Sequence, residues 1–231
     1  MTSLARMLRA EIDAWGDKQR QSRLIELARA GSLTPRAVAL YLTSLKELFT
    51  QSQINLHRAA ARSEELGLPK LLAYFRDKCH EEHGHEQWAA SDLSKLPLAA
   101  AEGVAPARGG LLLGQLQSVL LDEHPMCFVV YAVWAEYLTV LLGDEWLDAL
   151  AVCGYERDGL SAVSNHVEAD RHHAAHGFEA LDELWDGKPG LERLMESLKR
   201  AELAFEAFCD EICQESLLGV ATCAPTVNAR P

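Results

Sequence analysis

The chain has 231 residues, of which 48% are hydrophobic, and a formal net charge of −12 at pH 7. The apolar fraction is sufficient for a buried core. The acidic balance argues against nucleic acid and anionic membranes as partners, because both repel an acidic surface. The longest apolar stretch, "MCFVVYAVWAEYLTVLL", is shorter than a typical membrane span and contains Glu136.

The N-terminal segment "MTSLARMLRAEIDAW" has helical apolar spacing interrupted by Glu11 and Asp13. This pattern is typical of neither a signal peptide nor a transit peptide. The six cysteines form no CxxC motif and no short disulfide framework, which favours a reducing compartment. We therefore expect a soluble, cytoplasmic protein with no membrane partner.

The first half of the chain shows apolar positions every three or four residues, and Gly and Pro divide it into helical blocks. An amphipathic pair of helices comes first. Thr34 and Pro35 then open a long helix, as N-cap and first helical residue, that runs to Gly67. A single helix is predicted from Pro69 through "HEEHGHEQWAASDL", followed by a small-residue connector over residues 95–110.

The second half continues with "LLLGQLQSVLLDE", a helix opened by His124 and Pro125, and a short helix after Gly143. A further helix covers about residues 160–185, "WDGKPG" ends it, and the last helix runs to about Leu218. The sequence thus predicts an all-α, single-domain bundle of seven to eight helices over residues 1–218. Residues 219–231 are predicted to be a disordered tail.

The stretch "SAVSNHVEADRHHAAH", residues 161–176, concentrates histidine on one predicted helix. At about 100° per residue, His166, Asp170 and His173 lie within roughly 60° of one another, whereas His172 and His176 point elsewhere. A solvated polar face would have the same composition. However, three polar groups on one stripe favour a metal site or a hydrogen-bond network, because burying them without partners is costly.

A second cluster, "HEEHGHEQW", places Glu82 and His85 three residues apart. Glu-x2-His is the spacing with which bundle helices present a carboxylate and an imidazole to a dinuclear metal centre. Glu81, four residues before His85, is an alternative to Glu82, and His80 and His83 are expected to be solvated.

A dinuclear centre needs further carboxylates, and two acidic residues interrupt apolar helix segments. Glu47 lies in "YLTSLKELFT", where an exposed position at the edge of the buried face is the alternative. Glu136 lies in the most apolar segment, where a core Glu bonded to a Tyr or Arg is the alternative.

In their order along the chain, these residues resemble the heme-oxygenase-like diiron oxidases: a Glu, then E-x2-H, then H-x3-D-x2-H about eighty residues later. The resemblance covers about residues 20–215. It implies one iron on His85 and His166 and a second on Asp170 and His173. It also implies that Glu47 and Glu82 are terminal or bridging carboxylate ligands, and that Glu136 joins them on oxidation.

The resemblance implies an oxygenase that reacts two Fe(II) ions with O2 and oxidises or cleaves a small molecule of amino-acid or fatty-acid type in specialised metabolism. Manganese or a mixed Mn/Fe pair shares these ligands, and family habit implies a homodimer. The apolar helix around "MCFVVYAVW" is expected to form one wall of the substrate pocket, with Tyr131, Trp134 and Tyr137 as lining residues. Arg157 and Arg171 are candidate partners for a substrate carboxylate.

Two other functions stay open at this point. A thiaminase-like hydrolase would use Cys127 near Tyr131 as its nucleophile, but it would leave the His, Asp and Glu residues unexplained. A metal-binding bundle without turnover, such as a ferritin-like protein, would repeat Glu-x2-His, whereas the second motif here differs.

Overall fold

The structure, a computed structural model, describes the backbone of residues 3–222 and the side chains of residues 3–218. Within this range there are ten α-helices and one short 3-10 turn (Arg157–Gly159), and no strand. The helices are α1 (Leu4–Gln19), α2 (Arg23–Arg29), α3 (Pro35–Glu65), α4 (Pro69–Glu81), α5 (Glu86–Lys95), α6 (Leu98–Ala101), α7 (Arg108–Glu123), α8 (Pro125–Val152), α9 (Ser161–Leu184) and α10 (Leu191–Thr222).

The predicted all-α architecture is confirmed. Seven of the ten helices in the described range are longer than ten residues, in line with the predicted seven to eight. Thr34 caps α3 as expected, its side chain accepting a hydrogen bond from the Ala37 amide, with Pro35 at the first helical position. The last helix continues to Thr222, so residues 219–222 are helical rather than part of the expected tail. Residues 223–231 lie outside the described range.

Helix α8 is the central element of the bundle and packs most extensively against α9. By length and composition α8 could cross a membrane, but 67% of its most apolar window is buried inside the molecule, as in a core helix. The predicted break at Gly143 is wrong, because α8 continues through it. A Cβ at Gly143 would lie 2.3 Å from Val167 Cγ2, so this glycine permits the close approach of α8 to α9.

The predicted single helix from Pro69 is also wrong, because it is divided into α4 and α5 by a turn over residues 82–85. Gly84 has a φ of +85°, a left-handed conformation that glycine adopts without steric cost. Glu82 therefore ends α4 and His85 precedes α5, so the Glu-x2-His pair lies on a turn rather than on a continuous helix face.

Candidate metal centre

Helix α9 presents three of the predicted residues to the interior, as their spacing indicates. His166 and Asp170 are buried, and the His173 side chain is 12% exposed. His172 and His176, which the spacing directs away from this face, are exposed.

His166 is held in one orientation by its surroundings. Its Nδ1 lies 2.6 Å from the Ala162 carbonyl oxygen, which can only accept, so Nδ1 carries the proton and Nε2 is free to bind a cation. The Phe49 ring from α3 stacks on the imidazole at a centroid distance of 4.5 Å. The donor atom is therefore fixed both by a backbone hydrogen bond and by ring packing.

Asp92 joins the beginning of α9 to α5, a connection that sequence reasoning missed. Its carboxylate is buried and accepts hydrogen bonds from the Ala162 amide at 2.7 Å and the Ser161 hydroxyl at 2.7 Å. Because α5 begins directly after His85, this contact also aligns the turn with α9.

Glu82, His85 and His166 converge to form the first donor group. His85 Nδ1 lies 2.9 Å from Glu82 Oε2 and 3.1 Å from His166 Nε2, and His166 Nε2 lies 4.0 Å from Glu82 Oε2. Trp88 stacks on the His85 ring at 4.0 Å. Two imidazoles and one carboxylate that leave other coordination positions open are the ligand set typical of non-heme Fe(II) oxygenases.

A second donor group lies next to the first and is richer in carboxylates. Donor atoms of Glu82, Asp170 and His173 come within 4.8 Å of one another, as do those of Glu81, Glu136 and His173. His173 Nδ1 is 3.3 Å from Asp170 Oδ1, and Glu136 Oε2 is buried with no hydrogen-bond partner. Both Glu81 and Glu82, which the sequence left as alternatives, thus contribute to the cluster.

Lys78 is the unexpected member of the cluster. Its side chain is 2% exposed, and its Nζ lies 2.7 Å from Glu81 Oε2 and 2.7 Å from Glu136 Oε1. Lysine is rarely buried without a charge partner, and here two carboxylates supply one. Lys78 lies three residues before Glu81 on α4, but this spacing alone does not distinguish a buried lysine from an exposed one.

The pKa values of the cluster depend on burial and on the charges nearby. Burial raises the pKa of Glu136 to about 7, although Lys78 acts in the opposite direction. Burial also disfavours the charged form of Glu82, but the hydrogen bond from His85 and the nearby charges hold the Glu82 pKa below its ordinary value. Burial would lower the pKa of Lys78, but Glu136 and its neighbours raise it, so the amine stays protonated.

The pKa values of the two imidazoles that α9 directs toward the interior shift in opposite directions. Burial lowers the pKa of His166, which favours the neutral ring that a metal requires. The hydrogen bond with Asp170 raises the pKa of His173, which favours the protonated ring. The first donor group thus favours a neutral imidazole, whereas the second favours a protonated one.

Glu47 does not join the cluster, and its predicted place among the metal ligands is not what the structure shows. It is exposed on α3, whereas Leu45 and Phe49 of the same helix line the interior. A residue two positions from each of these lies about 200° round the helix, on the opposite face. The carboxylate is therefore directed away from the other donors.

A cavity of about 240 Å³ adjoins the cluster. Glu82, Glu136, His166 and Asp170 form its polar end, and the rest of its wall is mainly apolar. Tyr131 and Trp134 line this cavity as predicted, along with other side chains of α8 and side chains of α3 and α10: Phe128, Leu142, Leu45, Phe49, Leu56 and Phe205.

The prediction of Tyr137 as a pocket residue is wrong. Its hydroxyl donates a hydrogen bond to Asp13 Oδ1 at 2.7 Å, and its ring packs on Phe178 at 4.9 Å. Tyr137 thus contacts α1 and α9 rather than the cavity.

The other candidate side chains lie outside the cavity. Cys127 is fully buried, and burial raises its thiol pKa, which disfavours the thiolate that a nucleophile needs. Arg157 and Arg171 each donate to Asp144 at 2.9 Å near the surface, so neither faces the cluster.

Comparison with solved structures identifies the fold. No protein-family model and no curated protein matches the sequence. A solved domain of unknown function with a heme oxygenase-like fold from Shewanella denitrificans superposes with a TM-score of 0.82, covering 95% of this chain and 96% of that one at 19% identity. The chain has a heme-oxygenase-like fold. A TenA homolog from Pseudomonas syringae pv. tomato also superposes, with a TM-score of 0.68 and 13% identity over 91% of this chain and 93% of that one.

The heme-oxygenase-like fold agrees with the predicted architecture. A fold does not by itself specify an activity, so the chemistry depends on the residues of the site.

Proposed function

We propose that the protein is an O2-dependent non-heme iron oxidase that acts on a small, largely apolar molecule. The observation that carries this proposal is the convergence of Glu82, His85 and His166 beside an apolar cavity that Glu82 and His166 line.

The first donor group fits an iron ion by the chemistry of its donors. His166 offers Nε2 because the Ala162 carbonyl holds the proton on Nδ1, and His85 and Glu82 offer Nδ1 and Oε2. Bound there, iron(II) would supply O2 activation at the coordination positions that protein side chains leave open. The stacked Phe49 and Trp88 rings would keep both imidazoles in place during turnover.

A diiron enzyme, as the resemblance implies, needs a second ion on Asp170 and His173 with Glu82 shared between the two metals. This second group fits less well, since Lys78 binds two neighbouring carboxylates and Asp170 favours the protonated form of His173. Manganese would accept the same donors as iron.

The cavity indicates the class of substrate. Its apolar wall, to which Phe128, Trp134 and Phe205 contribute, would bind a hydrocarbon portion and exclude water from the reacting atoms. A substrate of fatty-acid type, or an amino acid with an apolar side chain, would place its polar group or its reacting carbon at the donor group. The sequence-based expectations of a cytoplasmic homodimer in specialised metabolism stay predictions.

The test is an anaerobic titration of metal-free protein with Fe(II), followed by O2 uptake in the presence of a panel of fatty acids and amino acids. We expect wild type to bind Fe(II) and at least one substrate class to accelerate O2 uptake. His166→Ala should lose both, and His172→Ala, an exposed histidine on the same helix, should lose neither.

Failure of wild type to bind Fe(II) would overturn the proposal. Iron binding with no O2 uptake for any substrate class would instead favour a metal-binding bundle without turnover.

A further inference from the structure

The Lys78 ammonium lies inside the acidic cluster but has no part in the proposed iron site. It is more deeply buried than any of the carboxylates it contacts, with Glu81 on the same helix and Glu136 on α8. An amine this deep is stable only because carboxylates surround it, so its position is a built part of the site.

The Lys78 ammonium occupies a position in which the same carboxylate oxygens could bind a metal ion. Lys78 Nζ makes 2.7 Å contacts with Glu81 Oε2 and Glu136 Oε1, and both carboxylates belong with His173 to one of the donor groups. A metal ion bound between the same two oxygens would lie at about 2.0–2.2 Å from each, which leaves no room for the amine. Two cations therefore compete for one set of oxygens.

We infer that the Lys78 ammonium occupies the second cation position of the cluster and excludes a metal ion from it, so that the chain loads one metal ion rather than two.

Charge supports the same conclusion. Glu81, Glu82, Glu136 and Asp170 supply four carboxylates, and a fixed ammonium together with one divalent ion nearly balances them. A second divalent ion would have to bind beside the ammonium. The repulsion between these two positive charges is screened only weakly in a buried environment. The first position, on Glu82, His85 and His166, contains no such side-chain cation and stays available.

That one metal ion is loaded rests on the proposed function, whereas the exclusion at the second position does not. The experiment therefore compares metal counts between variants. Wild type, Lys78→Met and Lys78→Arg would be loaded anaerobically with Fe(II) and, separately, with Co(II), desalted, and analysed for metal per chain. Lys46→Met, at an exposed position of α3, is the matched control.

We expect one ion per chain in wild type, Lys78→Arg and Lys46→Met. Two ions are expected in Lys78→Met, because removal of the charge frees Glu81 and Glu136 while the unbranched side chain preserves packing. A Co(II) titration of Lys78→Met, followed by its absorption spectrum, should show a second binding phase that the other three proteins lack.

Two ions in wild type, or equal counts in wild type and Lys78→Met, would overturn the inference. No ion in wild type but one in Lys78→Met would overturn the proposed function and support the exclusion. Circular dichroism would establish that each variant is folded. Lys78→Gln is a second neutral variant. If neither neutral variant folds, the metal count of wild type decides: one ion per chain supports the inference, and two overturn it.

Discussion

The two donor groups of the cluster share Glu82 and differ in what balances their charge. In the first, two imidazoles face one carboxylate, and burial keeps His166 neutral. In the second, carboxylates predominate, and a lysine already lies between two of them. We therefore expect adjacent sets of ligand-type residues to differ in their capacity for a metal, because affinity depends on the cations already present as well as on the donors.

The largest expected effect is loss of the first group. His85→Ala and His166→Ala should each weaken Fe(II) binding by more than about a hundredfold, since even residues outside the ligand shell contribute about 10–100-fold. Isothermal titration under argon would measure this. His83→Ala and His172→Ala, at exposed neighbouring positions, should bind like wild type, and an unchanged affinity in either ligand variant would remove that residue from the metal site.

The second group should be revealed by the pH dependence of stability in the metal-free protein. The pKa of Glu136 is raised from 4.5 to about 7, so the folded state holds its proton more tightly than the unfolded chain does. The stability from this group is complete below its unfolded pKa and is lost as pH rises through about 7. We expect Glu136 to lower the unfolding free energy by on the order of 1–3 kcal/mol between about pH 5 and about pH 8.

Urea unfolding with a chelator present would measure this loss in wild type and in Glu136→Gln. The variant should lose much less stability over the same interval, since its side chain does not titrate. Identical pH profiles would show that Glu136 is not buried in the acidic environment described.

A smaller loss of stability is expected from a substitution in the turn between α4 and α5. Gly84→Ala places a side chain at a φ of +85° and should cost about 1–2 kcal/mol, while displacing His85 and weakening metal binding. Gly159→Ala is the control, because that glycine has no positive φ and a Cβ there would meet no atom within 4 Å. Equal unfolding midpoints for the two variants would contradict the conformation of the turn.

The smallest effect concerns the stacking on His166. Phe49→Leu should cost about 0.5–1.5 kcal/mol and reduce metal affinity modestly, since the imidazole loses the ring that holds it. Phe178→Leu, which removes a comparable ring contact with Tyr137, should lower stability without changing metal affinity. A matched loss of affinity in both variants would show a general loosening of the fold instead.

Sequence reasoning performed best where one regular helix carries the residues. His166, Asp170 and His173 share a face of α9 because helical periodicity alone determines which residues lie together. Glu82 and His85 also reach the cluster, but through a turn at Gly84 that the same spacing did not indicate. The residues predicted there do lie in the cluster, but their local structure is a turn rather than the predicted helix.

Glu47 and Lys78 show where such reasoning fails. Glu47 has a plausible sequence neighbourhood, yet the rotation of α3 directs Phe49 to the interior instead. Lys78 has no sequence feature that marks it as buried, because lysine is ordinarily exposed. Its burial results from carboxylates on two different helices, and no spacing along one helix reports such an arrangement.

The sequence by itself thus determined the helical architecture, the main breaks at Gly and Pro, and most members of the candidate cluster, since these depend on local periodicity and composition. Only the tertiary structure decided which carboxylates meet, that α8 passes unbroken beside α9 at Gly143, and that an ammonium enters the cluster. The physical reason is that these outcomes depend on the relative rotation and approach of helices distant in sequence, which packing of the whole core determines.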